Sequence, residues 1–253
     1  MELIFLGTGG GRINLVKQFR STGGQWIRSD NLNILIDPGP GSLLQAKKYG
    51  LDPLKLDAII VTHYHVDHCS DSDVMIEAMT NYALKKKGIF IGSEYTIEGD
   101  KNGDTGVTKY HLSKVEKVVV AKYGAKEKFE KFGIEFLELR HDEPTAFGFK
   151  LYIDGKVLGL ICDTEYFEEL GELYKDCDLL LVSCLKPKKD NIPDHLKTDD
   201  VIRILQKAKP KKTVIYHLGM KMLKAGPEKE AEKIEQKSNV KCEAATDGMR
   251  VVV

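Results

Sequence analysis

Thr62-His63-Tyr64-His65-Val66-Asp67-His68 places four metal-capable side chains within six positions. In an extended backbone, residues i and i+2 point the same way, so His63 and His65 can present their imidazoles to one ion. Asp67 and His68 follow in a turn and can address a second ion beside the first. Neutral imidazole and carboxylate are the donor set of zinc and related divalent metals. A cluster of surface histidines is the plain alternative, but these residues stand directly behind the apolar, β-branched run Ala58–Val61.

The remaining chemistry-bearing residues also follow strand-like runs. His141 comes after Ile134–Leu139, Asp163 after Val157–Ile161 and His217 after Thr213–Tyr216. Further strands are expected at Leu3–Leu6, Leu32–Ile36, Gly88–Ile91, Lys117–Ala121, Phe147–Ile153, Leu179–Val182 and Met249–Val253. Helical spacing marks Ser42–Tyr49, Ser72–Leu84, Val201–Ala208 behind an N-cap at Thr198, and the charge-paired Pro227–Lys237. The chain shows no internal sequence repeat and no Gly/Pro/Ser-rich linker. Bunched strands with interspersed helices predict an α/β sandwich of mixed sheets in a single domain, residues 1–253.

The spacing resembles the HxHxDH signature of the metallo-β-lactamase superfamily, and His141, Asp163 and His217 fall in that family's order. The resemblance implies a four-layer αββα sandwich of two mixed β-sheets flanked by helices. It further implies that His63, His65 and His141 hold one metal, that Asp67, His68 and His217 hold the other, and that Asp163 bridges them. A hydroxide shared by the ions would be the nucleophile, with Asp67 orienting it. Zinc is the expected metal, with manganese and iron as alternatives.

Leu6-Gly7-Thr8-Gly9 is similar to the start of the ribonuclease Z-like and cyclic-phosphate phosphodiesterase branches, and Thr246-Asp247-Gly248-Met249 to their ending. Asp37, in Ile36-Asp37-Pro38-Gly39, matches their early aspartate, which implies hydrogen bonds that fix the His63–His68 loop. His195, ahead of the helix begun at Thr198, matches a histidine that contacts phosphate and protonates the leaving oxygen. Two departures stand out. Val66 occupies a place where ribonuclease Z usually has glycine. The 21 residues between His141 and Asp163 read as a hairpin, with no room there for a tRNA-gripping arm.

Composition narrows the classes. The 253 residues carry 38 Lys+Arg against 38 Asp+Glu and are 42% hydrophobic, which excludes a disordered chain and argues against general nucleic-acid binding. Five cysteines form no CxxC pair, as expected of a reducing cytoplasm, and no apolar run approaches the roughly 20 residues of a membrane span. The N-terminal glycines do not satisfy a dinucleotide or P-loop pattern and read as tight turns. Lys186, Lys188 and Lys189, with Lys207, Lys209, Lys211 and Lys212, form either a basic rim or a solvated face. His111, Cys69 and Cys162 carry no assigned role.

The sequence therefore predicts a metal-dependent phosphodiesterase with catalytic Asp67 and His195, acting on a small anionic phosphodiester. tRNA is disfavoured, no membrane partner is expected, and a homodimer is left open. A glyoxalase II-like thioester or lactone hydrolase uses the same ligands and is the enzymatic alternative. A non-catalytic metal-binding or RNA-associated scaffold is the alternative of another class.

Overall fold

Short apolar runs bounded by Gly and Asp turns form the strands of two seven-stranded sheets. The computed structural model describes residues 1–188 and 193–253, so Lys189 of the lysine-rich stretch lies outside the described residues. The chain divides into two compact units. One comprises Met1–Thr8, Arg20–Lys122 and Thr246–Val252; the other comprises Gly9–Phe19, Tyr123–Ala245 and Val253.

The first unit holds β1 (Glu2–Phe5), β2 (Gln25–Ser29), β3 (Leu32–Ile36), β4 (Ala58–Val61), β5 (Ile89–Gly92), β6 (Lys117–Val120) and β14 (Arg250–Val252). They are ordered β14-β1-β2-β3-β4-β5-β6. Pairs from β14 to β3 are antiparallel, and those from β3 to β6 are parallel. Its helices are α2 (Ser42–Lys48), α3 (Val66–Cys69), α4 (Ser72–Met79), α5 (Glu94–Ile97) and α6 (Lys109–Leu112). Every residue of β4 is buried, which its unbroken apolar run requires of a central parallel strand. Trp26, Leu35, Ile59 and Phe90 form one core with Met75, Ile76 and Met79 of α4.

Helix α4 stops at Met79, five residues short of the expected Leu84. Asn81, Tyr82 and Ala83 have φ of +55°, +63° and +56°, a left-handed run that no right-handed helix can contain. Tyr82, inside the range expected to be helical, is exposed.

The second unit holds α1 (Gly11–Lys17), β7 (Lys126–Lys128), β8 (Gly133–Glu138), β9 (Phe147–Ile153), β10 (Lys156–Ile161), β11 (Leu179–Ser183), β12 (Lys212–Tyr216) and β13 (Cys242–Ala244). Helices α7 (Leu170–Leu173), α8 (Thr198–Ala208), α9 (Met220–Ala225) and α10 (Pro227–Ser238) belong to it as well. The β9–β10 hairpin turns at Asp154-Gly155, with φ of +52° and +71°, the conformation that an Asp-Gly pair favours. It is the hairpin expected between His141 and Asp163. The α8 N-cap is Lys197 and not Thr198: Lys197 is extended, and its N–H donates to Asp200 Oδ2 at 3.2 Å. Thr198 Oγ1 instead donates to Glu230 Oε2, tying α8 to α10 at 2.6 Å.

The second sheet runs β7-β8-β9-β10-β11-β12-β13, antiparallel from β7 to β10 and parallel from β10 to β13. Both sheets thus share one plan, three antiparallel pairs followed by three parallel pairs, although the sequence shows no repeat. Both are mixed and have helices in their own units, as the α/β class predicts. In each sheet the chemistry-bearing residues follow the carboxyl ends of parallel strands: Asp37 after β3, His63 after β4, Asp163 after β10 and His217 after β12.

Tyr174 is fully buried, and its hydroxyl donates to the Leu160 carbonyl of β10 at 2.9 Å. A Cβ on Gly148 of β9 would stand 2.0 Å from that hydroxyl oxygen. G148A is therefore expected to cost about 1–3 kcal/mol through overpacking. Y174F should cost a similar amount by stranding the carbonyl. Urea denaturation of the single and double variants should give a double-variant loss below the sum, because the clash and the hydrogen bond share one atom.

Candidate metal centre

Asp37 terminates β3 in the left-handed region, with φ +48°, and is 2% exposed. Its Oδ1 accepts the Thr62 N–H at 2.7 Å, and its Oδ2 accepts the Thr62 hydroxyl at 2.9 Å. His68 Nδ1 also stands 3.1 Å from Oδ2. With its one proton given to Asp37, the Thr62 hydroxyl can only accept from His63 Nδ1, which is 3.1 Å away. The carboxylate accordingly assigns an Nδ1–H tautomer to His63 and to neutral His68, leaving the lone pair of each on Nε2. That is the state a divalent cation requires, so the donor chemistry of this loop fits a metal.

His65 is the extended N-cap of α3, and its carbonyl accepts the N–H groups of His68 and Cys69 at 2.8 and 3.1 Å. The His63 ring centroid lies 4.7 Å from that of His65 and 4.1 Å from that of His68. Asp67 Oδ2 is 3.9 Å from His68 Nε2. Gly39 lets a neighbouring loop come close: a Cβ there would stand 2.0 Å from the carbonyl oxygens of Asp67 and Thr22. Val66 is 58% exposed, so a valine in place of glycine leaves the ligand side of the loop unaltered. Cys69 Sγ donates to the Tyr64 carbonyl at 3.0 Å, and burial pushes its thiol up to about 12, as for a packing residue.

In the second unit, Asp163 is 2% exposed at the end of β10. Its Oδ1 accepts the Ser183 hydroxyl at 2.7 Å and lies 3.2 Å from His217 Nδ1. Its Oδ2 lies 3.3 Å from His195 Nε2. His141 places Nδ1 3.2 Å from the Asp194 carbonyl and Nε2 3.0 Å from Asp142 Oδ1. Donor atoms of His141, Asp163 and His195 all lie within 4.8 Å of one another and could hold a cation. The structure thus gathers His141, Asp163, His195 and His217, with His195 against the aspartate expected to bridge. Burial works against a charge on His195, but the adjoining Asp163 carboxylate prevails and raises its pKa to about 9. Its Nδ1 is 3.0 Å from the Pro193 carbonyl, so Nε2 carries the transferable proton.

His217 has φ +56° and Asp194 φ +61°, both left-handed without being glycine. The N-terminal glycines supply room for the first of these. A Cβ on Gly10 would stand 2.2 Å from His217 Nδ1, and the Gly10 N–H donates to the Leu218 carbonyl at 3.2 Å. The fully buried Asn14 of α1 donates to the same carbonyl at 2.9 Å.

Sequence reasoning missed Thr62, Ser183, Asp142, Gly10 and Asn14. Ser183, a lone hydroxyl closing the apolar run Leu179–Val182, was the readable signal. The basic rim is not formed by Lys207, Lys211 and Lys212, which pair with Glu168, Asp178 and Glu243. Lys211 and Lys212 lie at the start of β12, and the strand carries His217 to its other end, roughly 17 Å away. Lys186 is buried and Lys188 exposed. His111 joins α6 to α4, its Nδ1 3.1 Å from Asp73 and its Nε2 3.1 Å from Glu77.

Residues 32–218 match the family model described as the beta-lactamase superfamily domain. An uncharacterized protein of Methanocaldococcus jannaschii is 32% identical over 253 residues, covering 99% of this chain and 94% of that one. Ribonuclease Z of Pyrococcus abyssi is 32% identical over 57% of this chain but only 46% of its own length. Among solved structures, the metallo-beta-lactamase fold protein YhfI from Bacillus subtilis superposes with a TM-score of 0.80 at 19% identity, covering 99% of this chain and 98% of that chain. A diphosphatase from the PhnP family superposes with a TM-score of 0.72 at 19% identity over 99% and 96% of the two chains. The chain belongs to the metallo-β-lactamase superfamily, as a metal-dependent hydrolase with partial sequence similarity to ribonuclease Z.

Proposed function

We propose that this hydrolase is a phosphodiesterase acting on a small cyclic or nucleotide-like phosphodiester, with residues 1–253 working as one domain in the cytoplasm. His63, His65 and His141 would hold one divalent ion, Asp67, His68 and His217 the other, and Asp163 both, with zinc ahead of manganese and iron. Bound there, the ions would supply Lewis-acid activation of water and of the phosphoryl oxygens.

The contact between His195 Nε2 and Asp163 Oδ2, 3.3 Å, carries the reading. It sets an imidazole whose pKa that carboxylate raises beside the aspartate expected to bridge the ions, with its second nitrogen turned to a carbonyl. From that position His195 donates its Nε2 proton to the departing oxygen, a step that an alkoxide leaving group needs and an acidic thiol does not. Asp67 accepts a hydrogen bond from the attacking water and orients it. Ser183 holds Asp163 through Oδ1, leaving Oδ2 toward His195. The partial match to ribonuclease Z supports phosphodiester chemistry, and the short β9–β10 hairpin, with no room for a tRNA-gripping arm, supports a small substrate over tRNA.

H195A should lower kcat for adenosine 2′,3′-cyclic phosphate by about 100-fold or more. Hydrolysis of bis-p-nitrophenyl phosphate, whose leaving group needs no proton, should fall far less, with metal content by mass spectrometry unchanged. Equal losses on both substrates would remove the acid role. D37N replaces an acceptor-only group by one that also donates, so the tautomers of His63 and His68 lose their setting. Zinc affinity, measured by competition with a chromophoric chelator, should fall about 10–100-fold.

A further inference from the structure

A pocket of about 320 Å³ opens in the second unit beside His141, and the proposed mechanism does not use it. It is at the small end of ligand pockets, which span about 300–1,000 Å³, and has room for a group of nucleoside size.

The wall chemistry is selective. The Tyr123 hydroxyl donates to the Pro144 and Ala146 carbonyls, at 3.1 and 2.9 Å, which immobilises the ring and, with Pro144, gives the pocket a rigid flat side. Burial and the nearby Glu143 and Glu138 charges push that phenol up to about 12, so it stays a neutral surface at physiological pH. Arg140 is the only Lys or Arg among the described residues of the wall, its Nε is 3.2 Å from Glu138 Oε1, and its guanidinium lies 4.2 Å over the Phe167 ring. Glu165 and Asp194 complete the lining, and neither carboxylate has a side-chain hydrogen bond or ion pair among the described residues. Ionised carboxylates only accept hydrogen bonds. A further phosphate would meet net negative charge here, whereas hydroxyl groups would meet acceptors. Acidic side chains read sugar diols in this way elsewhere.

We propose that this pocket is the subsite for the uncharged, hydroxyl-bearing part of the substrate, a ribose with its base laid against Tyr123 and Pro144, and that it excludes a second phosphate. The inference rests on the phosphodiesterase reading, which places the scissile phosphate at His141 and His195. It assigns the substrate class as a ribonucleoside phosphodiester with a single phosphate at the reacting centre.

Saturation-transfer NMR on the zinc-loaded protein, with adenosine, 2′,3′-dideoxyadenosine and inorganic pyrophosphate as probes, tests the subsite without requiring turnover. Adenosine should bind about tenfold more tightly than the dideoxy analogue, a difference of about 1.4 kcal/mol for hydrogen bonds to charged acceptors. E165Q should reduce that ratio severalfold, and Y123A should weaken both nucleosides alike. Pyrophosphate should not displace adenosine. Equal affinity for the two nucleosides in the unsubstituted protein, or a ratio unmoved by E165Q, overturns the inference. Displacement by pyrophosphate overturns the exclusion of a second phosphate. A separate assay with bis-p-nitrophenyl phosphate reports on the hydrolase chemistry. Adenosine selectivity without phosphodiester turnover sinks the functional reading and leaves the subsite standing, and turnover without selectivity does the reverse.

Discussion

A buried carboxylate at the end of one strand governs the geometry of the ligand loop. Removing a carboxylate from water costs several kcal/mol unless strong donors replace the solvent, and Asp37 has them in the Thr62 amide, the Thr62 hydroxyl and His68. Hydrogen bonds to a charged acceptor contribute about 1.5–3 kcal/mol each, so the set can offset that cost. The same bonds determine which nitrogen of each imidazole keeps its lone pair. Stability and metal readiness therefore rest on one side chain. Pairing of β3 with β4 places Asp37 beside Thr62, and the tautomers of the histidines depend on that placement.

Asp163 is the counterpart in the second unit, following the strand at the same place in the sheet order and held by a hydroxyl from the next parallel strand. Around both aspartates the backbone leaves its ordinary conformations. Asp37, Asp194 and His217 are all left-handed. Such residues cost of order 1–3 kcal/mol and persist where the surroundings over-determine them. At Asp194 the result is visible: the turn presents its carbonyl to His141 while the next residue, His195, reaches Asp163.

Much of this was legible in the sequence, and the reasons differ by residue. The His63–His68 loop could be read from its own residue types, whereas Asp163 and His217 could be read through family resemblance, supported by the apolar run that each follows. Asp37 could be read as a partner of that loop only through family resemblance. The glycines at the N-terminus could not, since their purpose is the approach of Gly10 to a ring more than 200 positions away in the chain. Helix periodicity failed beyond Met79 because a left-handed turn outranks side-chain spacing. For the lysines before His217 the sequence leaves a basic rim and a solvated face open, and the solvated face holds for Lys211 and Lys212 because β12 separates them from His217. His111 was unreadable because its partners are 34 and 38 positions away.

The plan shared by the two sheets has a bearing on how such a chain can change its chemistry. Antiparallel neighbours can be joined by tight two-residue turns whose geometry fixes register, as at Asp154-Gly155. Parallel neighbours need crossovers of a dozen residues or more, which return over helices and impose no such register. Apart from His141, which lies between the antiparallel strands β8 and β9, the metal-capable residues gathered around Asp37 and Asp163 follow strands whose next connection is a crossover. Loops there can lengthen, shorten or be exchanged while the hairpins keep each sheet in alignment, so substrate range can drift without the scaffold being rebuilt.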